Sequence, residues 1–187
     1  MTFRYNIRLS GASRQGLAQA ARILAEAAAI YDDMNAAESC SYGPESRGSA
    51  SRAEIIVSDE AIDYPKVESV DFFMALTQEA YDRYIIELKP DGIVVVEQNV
   101  TTGEEISDRK LYRAPFAEIA ERDCGRAAMI NIVVLGFFAR VCDVINEKSI
   151  RQAILARAPK TSEATYIKAY EAGINTAGEL LSGTSHS

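Results

Sequence analysis

Two short stretches carry residues whose types and spacing fit ligand chemistry. The first is "LSGASRQG", Leu9 to Gly16, which follows a short apolar segment and precedes a long alanine-rich one. That is the place of a phosphate-binding turn. In a GxGxxG turn the first glycine permits the bend, the second lets the backbone approach a pyrophosphate, and the third allows close helix packing. Here Gly11 and Gly16 hold the first and third places, while Ser13 holds the second with Arg14 beside it. A Cβ at Ser13 hinders positive φ and the approach of a phosphate, so the spacing argues against a dinucleotide. The acids that would hold a ribose, Asp32 and Asp33, also fall before a second strand and not at its end. A weaker chemistry survives. Amide groups at the start of the following helix, with Ser10, Ser13, Arg14 and Gln15 nearby, are suited to an anion through the helix dipole and charge-assisted hydrogen bonds. A turn that only joins strand to helix satisfies the same residues.

The second stretch is "SYGPESRGSAS", Ser41 to Ser51. Gly43-Pro44 forces a turn and Gly48 loosens the chain after it, so this is a loop. In a doubly wound sheet it should open on the same carboxyl edge as the first loop. Tyr42, Glu45 and Arg47 then offer one aromatic, one acid and one base to whatever lies against that edge, with a solvated Glu45–Arg47 pair as the alternative.

The elements that position these loops follow from periodicity. "YNIRLS" reads as a first strand, and "QGLAQAARILAEAAAIY", Gln15 to Tyr31, as an amphipathic helix with Arg22 and Glu26 turned outward. A second strand falls within Ala36 to Tyr42, a third over Ser51 to Asp59, and a doubly covered one over Val70 to Thr77, followed by the helix "QEAYDRYIIEL". "KPDG" predicts a turn into a buried strand over Ile93 to Gln98. The remaining third is a succession of helices, one of which, "INIVVLGFFARVCDVI", is apolar nearly all round and must be buried in the chain or against a partner. Gly136 at its centre predicts close backbone packing. The expectation is an α/β, Rossmann-like, mostly parallel sheet with helices on both faces and a helical C-terminal third. A single domain over residues 1–181 and a flexible tail at 182–187 complete it.

Composition closes several routes. With 27 acidic and 20 basic residues the formal charge is −7, which offers nothing to nucleic acid or an anionic membrane. "AAMINIVVLGFFA" is too short to span a bilayer, and the N-terminus lacks a secretory pattern, so a cytoplasmic protein is expected. Cys40, Cys124 and Cys142 lie too far apart for a CxxC or zinc-ribbon spacing. The chain has a single histidine, His186, in the polar tail, which leaves no Ser-His-Asp or Cys-His arrangement.

These stretches together resemble the gamma subunit of 2-oxoacid:ferredoxin oxidoreductases, over nearly the whole chain. The resemblance rests on "GASRQG" with "ARILAEAA", "SYGPESRG" before "SRAEIIVSD", "AIDYP" before "VDFFMALTQEAYDRY", "NIVVLG" and "KAYEAG". The Tyr-Gly-Pro-Glu-x-Arg-Gly form is similar to the 2-oxoglutarate-type members. Two departures stand out: Ser13-Arg14-Gln15-Gly16 replaces the family's Gly-Gly-Gln-Gly, and Arg47-Gly48-Ser49 replaces Arg-Gly-Gly.

What the resemblance implies is a non-catalytic subunit. The complex would convert a 2-oxoacid and coenzyme A to acyl-CoA and CO2 while reducing ferredoxin. No cofactor is expected on this chain; thiamine diphosphate with magnesium and the iron–sulfur clusters are expected on partner subunits. The implied partners are alpha and beta subunits, with a delta subunit left open, and ferredoxin through the complex. A homodimer of the isolated chain stays open too. Gly11, Ser13, Arg14, Gln15 and Gly16 would contact an anion or coenzyme A, and Tyr42, Gly43, Pro44, Glu45, Arg47 and Gly48 would face partner chains. The alternative reading is a small NAD(P)- or flavin-binding reductase using the Gly11–Gly16 loop.

Overall fold

The computed structural model describes residues 3–42, 50–106 and 108–183. Six strands form one sheet in the order β2-β3-β1-β4-β5-β6. They are β1 (Arg4–Ala12), β2 (Asn35–Tyr42), β3 (Ala50–Ser58), β4 (Val70–Ala75), β5 (Leu88–Glu97) and β6 (Lys110–Ala114). β1, β4, β5 and β6 pair in parallel, whereas β3 runs antiparallel to both β1 and β2. β3 is the exception to the parallel expectation. Parallel neighbours need a crossover of a dozen or more residues, and only seven separate β2 from β3, so the two can join only as a hairpin.

The six helices are α1 (Leu17–Glu26), α2 (Gln78–Tyr84), α3 (Phe116–Cys124), α4 (Ile130–Val141), α5 (Glu147–Arg157) and α6 (Glu163–Gly183). Helices do cover both faces, very unequally. Ile7 and Leu9 of β1, Phe72 and Met74 of β4, and Val95 of β5 pack under α1 and α3 to α6. The opposite face, with Ile56, Phe73, Val94 and Val96, is covered by α2 through Ala80, Tyr81 and Tyr84, and by Val100 and Ile106.

The strand period decides what β1 places under α2: Asn6, Arg8 and Ser10, all buried. Arg8 has no solvent exposure, and burial of a charge is tolerated only with partners. Its Nε donates to Glu54 on β3 at 2.7 Å, one terminal nitrogen to the Tyr84 and Ile86 carbonyls, and the other to Glu87 at 2.7 Å. The turn after α2 is thereby tied to the centre of the sheet.

Several boundaries differ from the expectation. The helix over 15–31 is α-helical only to Glu26 and widens into a π-turn over Ala27–Tyr31. Its outward pair does not form; Arg22 reaches Glu38 on β2 at 2.9 Å, and Glu26 pairs with Arg157 of α5. α2 stops at Tyr84, where its last carbonyls are claimed by Arg8. "KPDG" lies inside β5, not before it. The ladder passes from Val70↔Leu88 to Phe72↔Ile93, so these turn residues bulge out of an otherwise continuous strand. β6 is an edge strand of mixed polarity that the apolar pattern does not announce, and α6 runs two residues beyond the expected domain end at 181.

α4 is buried from Ile130 to Phe138 within the chain itself, so it offers no self-association face. It meets α6 backbone to backbone: a Cβ on Gly136 would fall 1.9 Å from the Tyr170 carbonyl oxygen, and one on Gly173 would fall 2.0 Å from that of Val133. Gly136→Ala is expected to destabilise the chain by roughly 1–3 kcal/mol, and Gly136→Leu by more. Urea unfolding reads this as a lower midpoint at unchanged slope. An unchanged midpoint would contradict the close approach.

Candidate functional site

β1 and β4 are parallel neighbours whose connections depart in opposite directions, β1 toward β2 and β3, β4 toward β5. Such a switch point is where open α/β sheets take ligands, outside the carboxyl ends of the strands. Gly11 stands there, and protein already surrounds it. A Cβ on Gly11 would meet Gln15 Oε1 at 2.3 Å, with Leu17 and Leu76 at 3.2 Å. The Gln15 side chain turns back into its own loop, its Oε1 accepting the Ala12 amide at 2.7 Å, while the Gln15 amide donates to the Ala12 carbonyl. The cradle that a pyrophosphate would need is thus filled by a glutamine.

Ser13 and Arg14 form the exposed tip of the turn, and Ser10 is buried with its hydroxyl on the Met74 carbonyl. Gly16 opens α1 in the left-handed region, φ 69°, and no side chain caps the helix. Sequence reasoning missed the residue that holds this end. Asn131, 2% exposed at the start of α4, donates through Nδ2 to the Gly16 carbonyl at 3.3 Å and to Gln19 Oε1 at 3.0 Å. Its buried Oδ1 has no hydrogen-bond partner. The only signal was a lone asparagine inside an apolar run.

The pairing of β2 with β3 brings Tyr42 and Ala50, the described ends of the second stretch, to the same edge. Because β3 is antiparallel to both neighbours, β2 points the same way as β1. Ser51 stands opposite Gly11 on one side and Tyr42 on the other, and its hydroxyl donates to the Gly11 carbonyl at 3.3 Å. Tyr42 is 63% exposed at the rim. Gly43, Pro44, Glu45, Arg47 and Gly48 lie outside the described residues.

Asp32 lies at the opposite edge, just before β2 begins, and both it and Glu97 are committed elsewhere. Asp32 accepts the Asn146 amide at 2.7 Å and the Ser149 hydroxyl at the start of α5. Glu97, buried at the carboxyl end of β5, accepts the Ala117 amide at 3.1 Å and the Gln98 amide at 3.2 Å, so it closes the N-terminus of α3. Burial raises its carboxyl above the usual range, against the amides that favour the anion. The cysteines sit apart: Cys40 exposed on β2, Cys124 at the end of α3, and Cys142 buried after α4 with its thiol on the Tyr5 hydroxyl. Among the described residues, no group of three or more His, Cys, Asp or Glu is placed to hold a metal ion, and no helix is long and apolar enough to cross a membrane.

With this geometry in view, comparison with known proteins is informative. A family profile, pyruvate ferredoxin/flavodoxin oxidoreductase, matches residues 6–176, and the chain belongs to that family. It is 39% identical over 179 residues to the 2-oxoglutarate synthase subunit KorC of Methanocaldococcus jannaschii, covering 95% of this chain and 96% of the relative. Its fold matches the keto/oxoacid ferredoxin oxidoreductase gamma subunit of Geobacter sulfurreducens with a TM-score of 0.85 at 38% identity, over 94% and 97% of the two chains. It also shares its fold, at 19% identity and a TM-score of 0.83, with a 2-oxoglutarate:ferredoxin oxidoreductase from Magnetococcus marinus that has 2-oxoglutarate, coenzyme A and succinyl-CoA bound. There the match takes in 94% of this chain and 31% of the longer one.

The raised Glu97 carboxyl sets a sign for stability against pH. Its folded value lies above its unfolded value near 4.3, so its contribution is full below that pH and is lost as pH rises through the folded value. Relative to Glu97→Gln, the parent should therefore lose unfolding free energy as pH rises from about 4.3 through the raised folded value. A constant difference in urea unfolding across that range would show that Glu97 titrates normally.

Proposed function

We propose that this chain is the gamma subunit of a 2-oxoglutarate:ferredoxin oxidoreductase, a piece of the enzyme that shapes and completes the assembly while the bond-making groups sit on its partners. The observation that carries the reading is the carboxyl edge. It exposes Ser13, Arg14 and Tyr42, while Glu97 is held against the start of α3 and the cradle at Gly11 is filled by Gln15. Among the described residues, this edge presents a surface and carries no histidine. The full-length similarity to the KorC relative supports the gamma assignment and the choice of 2-oxoglutarate among 2-oxoacids.

Within that reading, alpha and beta subunits are the partners, thiamine diphosphate, magnesium and iron–sulfur clusters belong to them, and the complex works in the cytoplasm. Ser13, Arg14 and the amides that open α1 offer an anion contact, with a coenzyme A phosphate as the natural anion of this reaction. Tyr42, Glu45 and Arg47 face partner chains. The small dinucleotide reductase is the weaker reading, because Gln15 fills the place of the pyrophosphate and Asp32 is bound to the start of α5.

Affinity-tagged chain recovered from its native host should bring thiamine-diphosphate subunits with it, identified by mass spectrometry. Arg47→Ala should weaken that recovery several-fold while leaving the melting temperature of the isolated chain within a degree or so, the usual range for a surface change. Recovery of the tagged chain alone would count against the assignment, and a large fall in melting temperature would make Arg47 part of the fold.

A further inference from the structure

The sheet has two open edges, and they are built differently. β6 is five residues long and carries Lys110 and Arg113, which is how proteins discourage another strand from adding. β2 is eight residues long, pairs with β3 in unbroken register from Asn35↔Ser58 to Tyr42↔Ser51, and contains no lysine, arginine or proline. Its one charge, Glu38, is matched by Arg22 at 2.9 Å. From Ser39 to Tyr42 every residue is exposed, so this half of the strand lacks cover on its faces as well as on its outer edge. In an antiparallel ladder alternate residues aim N–H and C=O away from the paired neighbour. Among the described residues, no strand receives those groups along β2, and β2 itself carries no lysine, arginine or proline to discourage one.

From this contrast the geometry points to β2 as a strand-addition site: an extended, uncharged segment of a partner subunit pairs with Asn35–Tyr42 and prolongs the sheet to seven strands. This rests on the gamma-subunit reading and specifies how the partner is gripped. Three observations select that occupant. The relatives that this chain matches over nearly their whole length are named as subunits, so a second polypeptide is there to supply the segment. Its small and uncharged side chains, Ala36, Ala37, Ser39, Cys40 and Ser41, leave main-chain pairing as the source of affinity and give nothing to a charged segment. A second copy of the chain is disfavoured, because two molecules each of net charge −7 repel at long range and the uncharged edge offers no offsetting pair.

Cys40 reports directly on the site. Peptide mass spectrometry after timed alkylation should show Cys40 reacting readily in the isolated full chain and at least ten times more slowly in the purified complex, with buried Cys142 slow in both. Hydrogen exchange of the complex should slow alternate amides along 35–42, the pattern of a new ladder. Cys40 equally reactive in chain and complex would overturn strand addition while leaving the subunit assignment standing. Protection already present in the isolated chain and growing with its concentration would assign the edge to a second copy and overturn the inference. Protection without the alternating amides would replace a strand with some other cover. Failure to isolate any complex would instead remove the gamma-subunit reading, and this inference with it.

Discussion

The guanidinium of Arg8 has no access to water, and its hydrogen bonds must be made inside the protein wherever the chain goes. Removing one partner from such a buried ion pair typically costs several kcal/mol, because the remaining charge is left unmatched. Here the demand is met by two separate segments: Glu54 from β3, and the stretch that ends and follows α2, which gives the carbonyls of Tyr84 and Ile86 and the carboxylate of Glu87, whose backbone takes φ 66°. Those bonds fix β1 as the strand where antiparallel and parallel pairing meet. They also set the level of α2 on the face that has no other long helix.

Once β1 is fixed, both loops at the carboxyl edge follow. The strand ends at Ala12, the chain turns at Ser13 and Arg14, and α1 begins at Gly16 under the hold of Asn131. β3, bound to β1 through nine register pairs, carries the β2–β3 hairpin to the same edge. The helical layer behind is locked by the glycine contact of α4 and α6, so the edge is presented by a stiff body. Protein atoms fill the switch point, and its exposed residues suit docking and anion contact better than the enclosure of a dinucleotide.

Much of this was legible in the sequence because it depends on local pattern. Val and Ile runs marked β3 and β5 and the Phe72-Phe73-Met74 run marked β4; the apolar run from Ile130 marked a buried helix; Gly136 marked a close approach. The serine in place of a second glycine was the local argument against a dinucleotide turn. What stayed hidden depends on groups distant in sequence. Nothing near Gln15 shows that its amide folds back on Ala12, and nothing near Asn131 shows that it reaches Gly16 across 115 residues. Arg8 looked like the exposed half of an alternating strand, because its partners lie 46 to 79 positions away. The antiparallel turn of β3 was readable, since the 43–49 segment is too short for a crossover. The βαβ rhythm on either side masked it.

We infer that this chain shapes and supports a reaction carried out by its neighbours. Reduction of ferredoxin driven by 2-oxoglutarate and coenzyme A tests it most directly, measured for the lone chain supplied with thiamine diphosphate and magnesium and, in parallel, for the complete complex. Turnover by the complex and none by the lone chain is the predicted result. Sustained turnover by the lone chain would contradict it.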